Sequence, residues 1–368
     1  MQKLIIHPGF HKTGTTALQQ SLSEARSALE EVNFYYPHTA GHAHHRAAWA
    51  IIEKTWGWRK RGGRVIAPVE WQKLERKIKN SKKISIISSE FFSEANVNQL
   101  ANLKSRLSEF EVQVIFTWRP LPFMLASSYQ QYLKYGVKLT YAQWLESIFE
   151  KPGEAKLTPT FWKRNLHGDV ISAWAQAFGT ENISVIAVDE SQPAFLYSRF
   201  AELAGIPAGT LKSPVHKEVN RSLTFTEAEL LLEINRKYPK ENTWDSYEVF
   251  IRKGNINALS GSEEFDKNDE KILTPQWAID KAALINSSCT TKIKSLGVKI
   301  IGDIDRSDFS RIPVGINKPV TTISIETAAR AMIGVNLDSI KSMHGKTISD
   351  EFFVRLRQTL KRKLKFPR

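Results

Sequence analysis

The chain has 368 residues, with 52 Lys and Arg against 38 Asp and Glu, so its formal net charge is +14 and its partners are expected to be anionic. A single cysteine, Cys289, excludes an internal disulfide and a cysteine-rich metal site. No apolar run approaches the ~18 residues of a membrane span, and no zinc-finger, RNP-like or basic heptad pattern points to nucleic acid.

Leu4, Ile5 and Ile6 predict a buried strand over 3–7. This early strand leaves no room for a signal peptide, and a reducing, cytoplasmic location is expected. Gly9-Phe10-His11-Lys12-Thr13-Gly14-Thr15-Thr16 follows, and a helix is expected from Thr15, because Ala17, Leu18, Leu22 and Ala25 recur at helical spacing. A loop of this kind aims backbone N–H groups and the positive end of a helix at one point, a ready anion site. Lys12 adds a charge, and Thr15 and Thr16 add hydroxyl donors. The ATP and GTP loop places its lysine directly after the second glycine. Here Thr15 holds that position and Lys12 lies two residues before Gly14.

The segment His38–Arg46 holds His38, His42, His44 and His45. Histidine can act as a base near neutral pH. His44 and His45 are candidates to bind or deprotonate an acceptor, against a metal site or a solvated run. Trp56–Arg64 combines two tryptophans with Arg59, Lys60, Arg61 and Arg64, and its glycines read as a mobile loop. Trp58 and Arg59 are therefore candidates for saccharide stacking and anion contact, against a plain basic turn. A strand over 83–88 ends just before Glu90, where active-site groups sit in parallel α/β sheets.

Gln113–Trp118 reads as another strand, followed by Arg119 and a helix over 124–135 with Ser127 near its start. An arginine there can grip a phosphate through two N–H bonds. Residues 162–189 read as helix, Gly179 stop and a strand over 183–188. A helix over 224–237 carries a capping box expected at Thr226 and Glu229. Residues 238–275 read as a polar surface region, and a last strand is expected over 298–301. Stretches 322–343 and 348–366 look helical. The second has Phe353, Leu356, Leu360 and Leu364 on one face and basic residues elsewhere, a pattern that suits an anionic membrane surface, a polysaccharide or the domain itself. Strands alternating with long helical segments predict an α/β fold with a central parallel sheet flanked by helices.

The string Lys12-Thr13-Gly14-Thr15-Thr16 resembles the 5′-phosphosulfate loop of sulfotransferases that use 3′-phosphoadenosine 5′-phosphosulfate (PAPS). Arg119 and Ser127, with Ser128-Tyr129 after them, resemble the 3′-phosphate motif of the same family. The likeness covers about residues 1–305 and implies the P-loop-like sulfotransferase fold; residues 306–368, which it does not account for, read as a basic helical extension. It further implies PAPS as cosubstrate without a metal, held by Lys12, Thr13, Gly14, Thr15, Thr16, Arg119 and Ser127. Lys12 would stabilise the leaving oxygen. Polysaccharide sulfotransferases are similar in placing a glutamate base after the second strand, which puts Glu90 first and His45 second, although Phe91-Phe92 departs from their Lys-Ser/Thr-Pro string. The implied acceptor is a hydroxyl of an acidic or neutral saccharide, most simply a bacterial surface or capsular one. Two other classes stay open: a kinase or NTPase with an atypical loop, and a non-catalytic polyanion-binding protein on the same scaffold.

Overall fold

The computed structural model describes residues 1–39, 41–152, 159–214, 221–261 and 270–335. Among them run β1 (Gln2–His7), β2 (Phe34–Tyr35), β3 (Thr55–Trp56), β4 (Arg64–Val65), β5 (Ile84–Ser88), β6 (Phe110–Trp118), β7 (Ile183–Ala187) and β8 (Lys299–Ile301). Six of these form one parallel sheet in the order β2-β5-β1-β6-β7-β8, and β3 pairs antiparallel with β4. The expected α/β sheet is present, with strand ends close to their sequence positions.

Strand alternation divides the core between the two faces of the sheet. Leu4, Ile6, Val114, Phe116 and Val185 pack with Trp174 on one face. Ile5, Ile86, Ile115 and Ile186 pack with Leu18, Leu22 and Phe200 on the other. Residues on both faces are apolar because helices cover both sides of a parallel sheet. β1 lies between β5 and β6, so the chain crosses over to one side of β1 and later to the other. Such a switch opens a crevice at the carboxyl ends of the strands. The loop after β1 and Glu90 after β5 both start there.

A third apolar cluster stands off the sheet and is mostly helical and aromatic. It contains Tyr129, Trp144, Phe161, Trp244 and Tyr247. Its presence corrects the expectation for 238–275. Trp244, Tyr247, Ile251, Ile256 and Leu259 are buried, and the π-helical stretch Glu248–Ile256 carries part of that face. The capping box also lies two residues earlier than expected. Thr224 caps the helix Phe225–Lys237 with Glu227, because Glu227 can also reach Arg221 from there. Residues 306–335 run along the same body: Thr274 N–H donates to Pro313 O at 2.8 Å, and Ala331 is buried in the aromatic cluster. The expected helix at 322–343 is seen over 325–335. The basic segment 348–366 lies outside the described residues. No helix among the described residues is long and apolar enough to cross a membrane.

Candidate active site

The loop after β1 is fastened from below. His7 places Nδ1 2.8 Å from Ser88 Oγ and Nε2 3.3 Å from Thr117 Oγ1, tying the ends of β1, β5 and β6 together. Thr13 Oγ1 donates to Phe10 O at 2.7 Å and lies 2.8 Å from Thr117 Oγ1. Its hydroxyl is therefore spent on the sheet, and only its backbone faces the loop. Gly9 must be glycine, since its φ is 52° and an added Cβ would lie 2.4 Å from the Thr15 methyl. Lys12 itself takes a left-handed φ of 67°, a conformation that costs a β-carbon residue about 1 kcal/mol or more. Gly14 then starts the helix α1 (Thr15–Glu24) with no side-chain cap. The first helical bond runs from Leu18 N–H to Gly14 O. The N–H groups of Thr15, Thr16 and Ala17 thus open outward at the positive end of the helix.

One cleft of about 560 Å³ lies on the far side of α1, bordered by Lys12, Thr16, Ser127, Lys134, Arg221 and Arg252. Among the described residues, no Asp or Glu lines it. Arg221 is held by Glu227 at 2.6 Å, and Arg252 stacks 4.7 Å from Trp56 and 4.6 Å from Tyr135. Burial lowers the Lys134 amine from 10.5 to about 8, and the charges of Lys12 and Arg252 push the same way. Lys12 is also lowered, first by burial and then by Arg119, with Glu90 opposing. These cations repel one another, so an anion among them would relieve them.

A second cleft, of about 320 Å³, opens on the other side of Lys12 and includes His11, Thr15, Thr16, Glu90 and Arg164. Gln19 Nε2 donates to Glu90 Oε2 at 3.1 Å, and His45 Nδ1 stands 3.7 Å from the same oxygen. Burial alone would raise the Glu90 carboxyl. The electrostatic influence of His45 and His11, with hydrogen bonds from its own backbone and from Gln19, outweighs burial and holds it below the usual carboxylate range. Glu90 is consequently an anion at neutral pH. His45 Nδ1 also meets Ser89 Oγ at 2.8 Å, so this histidine braces the turn after β5. The third cleft, about 1130 Å³, spreads from Thr16 and His45 past Arg46, Trp49, Trp56 and Trp244. Thr16 borders all three.

No family model and no curated protein matches the chain. Among solved structures it is similar to a sulfotransferase from Alicyclobacillus acidocaldarius, at 15% identity and a TM-score of 0.42, over 59% of this chain and 86% of that one. What the site can do is read from its own residues.

The structure brings together Lys12, Gly14, Thr15 and Thr16 in one loop, with Glu90 in the second cleft and His45 beside it in the third. Ser127 lines the cation cleft, although its hydroxyl donates to Met124 O at 3.1 Å. Arg119 does not line that cleft. Its Nη2 meets Glu190 at 2.9 Å, its guanidinium lies over Phe123, and its buried Nε has no partner.

Two acceptor-site expectations are corrected. His44 is 1% exposed, with Nδ1 accepting from Ser88 N–H at 3.0 Å and Nε2 donating to Pro37 O at 3.0 Å. Burial lowers it to about 4, so it is a neutral structural residue with no nitrogen left for an acceptor. Trp58 belongs to the aromatic core: its Nε1 donates to Tyr135 O at 2.9 Å and its ring lies 4.6 Å from that of Tyr247. The loop around it is pinned rather than open, since Arg61 donates to Asn242 O and Pro239 O and stacks on Trp58 at 4.4 Å. Gly57 is there for close packing, as a Cβ would lie 2.4 Å from the Trp244 ring. Arg59 is exposed and borders none of the three clefts.

Sequence reasoning missed Lys134, Arg164, Arg221, Arg252 and Glu94. Among the described residues, no cluster of His, Cys, Asp and Glu could hold a metal ion. Lys134 carried one usable signal: it follows Ser127 by about two helical turns, and so shares its face.

Proposed function

We propose that the chain is a sulfotransferase that moves the sulfuryl group of PAPS to a hydroxyl of an acceptor. One observation carries the reading. Lys12, beside an uncapped helix N-terminus, has on one side a cation cleft with no Asp or Glu among the described residues, and on the other the ionised Glu90. In this reading the anionic nucleotide fills the first cleft, with Lys134, Arg221, Arg252 and Ser127 beside it and Arg119 exchanging Glu190 for phosphate. Lys12 and the N–H groups of Thr15 and Thr16 stabilise charge as it develops on the leaving phosphate oxygen. Glu90 takes the acceptor's proton, and His45 and Gln19 position it.

The acceptor enters by the third cleft, whose lining mixes Trp49, Trp56 and Trp244 with Arg46 and Lys73, both paired to Glu70. A saccharide, acidic or neutral and bound for a bacterial surface, suits that lining. The reaction is placed in the cytoplasm, with residues 352–368 able to touch an anionic membrane face. A kinase is the second reading, because the same cleft would also attract ATP. Against it, Thr15 stands where the nucleoside triphosphate loop needs its lysine.

The test is calorimetric binding of 3′-phosphoadenosine 5′-phosphate, with AMP and ATP–magnesium as comparators, to wild type and Lys12→Ala. The bisphosphate should bind tightest, and Lys12→Ala should abolish this. A preference for ATP–magnesium, or binding of none of the three, would remove the sulfotransferase reading.

A further inference from the structure

Behind the second cleft lies a charge cluster that the proposed reaction has not used. Glu94 is 3% exposed, yet it collects three partners. His11 Nε2 is 3.0 Å away, Lys54 Nζ 2.6 Å, and Arg164 Nε 3.0 Å. Burial would raise this carboxyl, but Arg164, His11 and Lys54 hold it far below the usual range. His11 is lowered to about 4, mainly by burial and then by Arg164, so it is neutral at pH 7 and donates Nε2–H to Glu94. Two cations therefore share one carboxylate, and a net positive charge is left in a nearly dry place.

The geometry aims that excess in one direction. Glu94 occupies only the Nε of Arg164. Among the described residues, the two Nη nitrogens have no hydrogen-bond partner, and Arg164 borders the cleft that also contains Lys12, Thr15 and Glu90. Lys54 is turned away, over the Phe91 ring at 4.7 Å, and does not border it. A guanidinium fixed through Nε presents its outer edge as a fork that matches two oxygens of one anionic group.

We propose that Arg164, oriented by Glu94, grips the sulfuryl group itself, opposite Lys12. This rests on the sulfotransferase reading. In the transfer, the acceptor oxygen forms a bond to sulfur as the bond from sulfur to the bridging phosphate oxygen breaks. The bond electrons leave with that phosphate oxygen beside Lys12, and the acceptor proton goes to Glu90. Negative charge on the outer sulfuryl oxygens is present throughout, and Arg164 faces it while Lys12 faces the leaving oxygen. Glu94 is a positioning residue, because it reaches the group only through Arg164.

The two forms of the nucleotide separate this role from a general one. PAPS carries the sulfuryl group, and 3′-phosphoadenosine 5′-phosphate lacks it. Calorimetry without acceptor should show Arg164→Ala binding the bisphosphate within about twofold of wild type while PAPS binding weakens about tenfold or more. Arg164→Lys, which keeps a cation beside Glu94 and guards against a folding defect, should show the same selective loss in smaller degree. Added guanidinium ion should restore PAPS binding to Arg164→Ala. Equal weakening of both nucleotides, or of neither, in correctly folded variants overturns the proposal and leaves the sulfotransferase reading standing. If wild type itself binds neither nucleotide, the reading and the inference fall together, and that failure is visible before any variant is made.

Discussion

Lys134→Met tests the idea that the cation cleft is under charge stress until an anion fills it. Methionine keeps the unbranched stem and the packing but removes the ammonium. Lowering of the amine from 10.5 to about 8 corresponds to about 3 kcal/mol of unfavourable charging in the empty protein at neutral pH. Because Lys134 retains some exposure, solvent screening reduces this, and a gain of about 1–3 kcal/mol is expected on substitution. In a thermal melt of the empty protein that is a rise of several degrees. The sign can be checked independently. The folded pKa is depressed, so between about 8 and 10.5 the unfolded chain binds more protons than the folded one. Wild-type stability should therefore rise with pH across this window, and Lys134→Met should lose that slope. The same change should weaken 3′-phosphoadenosine 5′-phosphate by about 10- to 100-fold, the worth of a charge-assisted bond to phosphate. A melting temperature at or below wild type, together with unchanged nucleotide affinity, would refute the reasoning.

Glu90→Gln should leave nucleotide affinity within about twofold while transfer to any acceptor that wild type labels drops ~100-fold or more; transfer at the wild-type rate would remove Glu90 as base. The depressed carboxyl also keeps Glu90 ionised below the usual carboxylate range, so the acid limb of the rate profile should lie below pH 4.5. Glu94→Gln leaves Lys54 and Arg164 buried beside a neutral amide, and urea unfolding should show a loss of about 3–5 kcal/mol at pH 7. Because the folded pKa of Glu94 is lowered, its contribution is full above the unfolded value of 4.5 and fades as pH falls, so wild type and variant should converge in acid. A loss below about 1 kcal/mol would mean that the cluster is solvated.

What could be read from the sequence was local. Leu4-Ile5-Ile6 before Gly9 marked β1, and the Gly9–Gly14 spacing marked the anion loop, because backbone conformation is dictated by near neighbours. Glu90 was legible because a strand's end fixes where the next residues point. The two adjacent histidines show the limit. Nothing in the string His44-His45 says that the first is sealed between Pro37 and Ser88 while the second faces Glu90. That choice is made by the rotation of one helix, His45–Ile51, against β5. Arg164 and Glu94 were invisible for a similar reason: 70 positions separate the two ends of their bond. Trp58 misled because a tryptophan flanked by cations has one composition whether it faces sugar or core.

The order of charges around Thr16 accounts for how the proposed base and the proposed anion site can lie side by side. Lys12 senses the charge of Glu90, yet the two make no ion pair. Had they paired, each would have cancelled the other: the lysine would lose its pull on an anion, and the carboxylate its appetite for a proton. Gln19 is the partner of Glu90 instead. Its amide holds Glu90 Oε2 at 3.1 Å from the body of α1 and restrains the carboxylate without neutralising it. The same helix turns its open N–H groups toward the point where the three clefts meet. In the proposed transfer the moving group would have cations behind it and a restrained, still-charged carboxylate ahead, and one helix of 10 residues borders both sides of that arrangement.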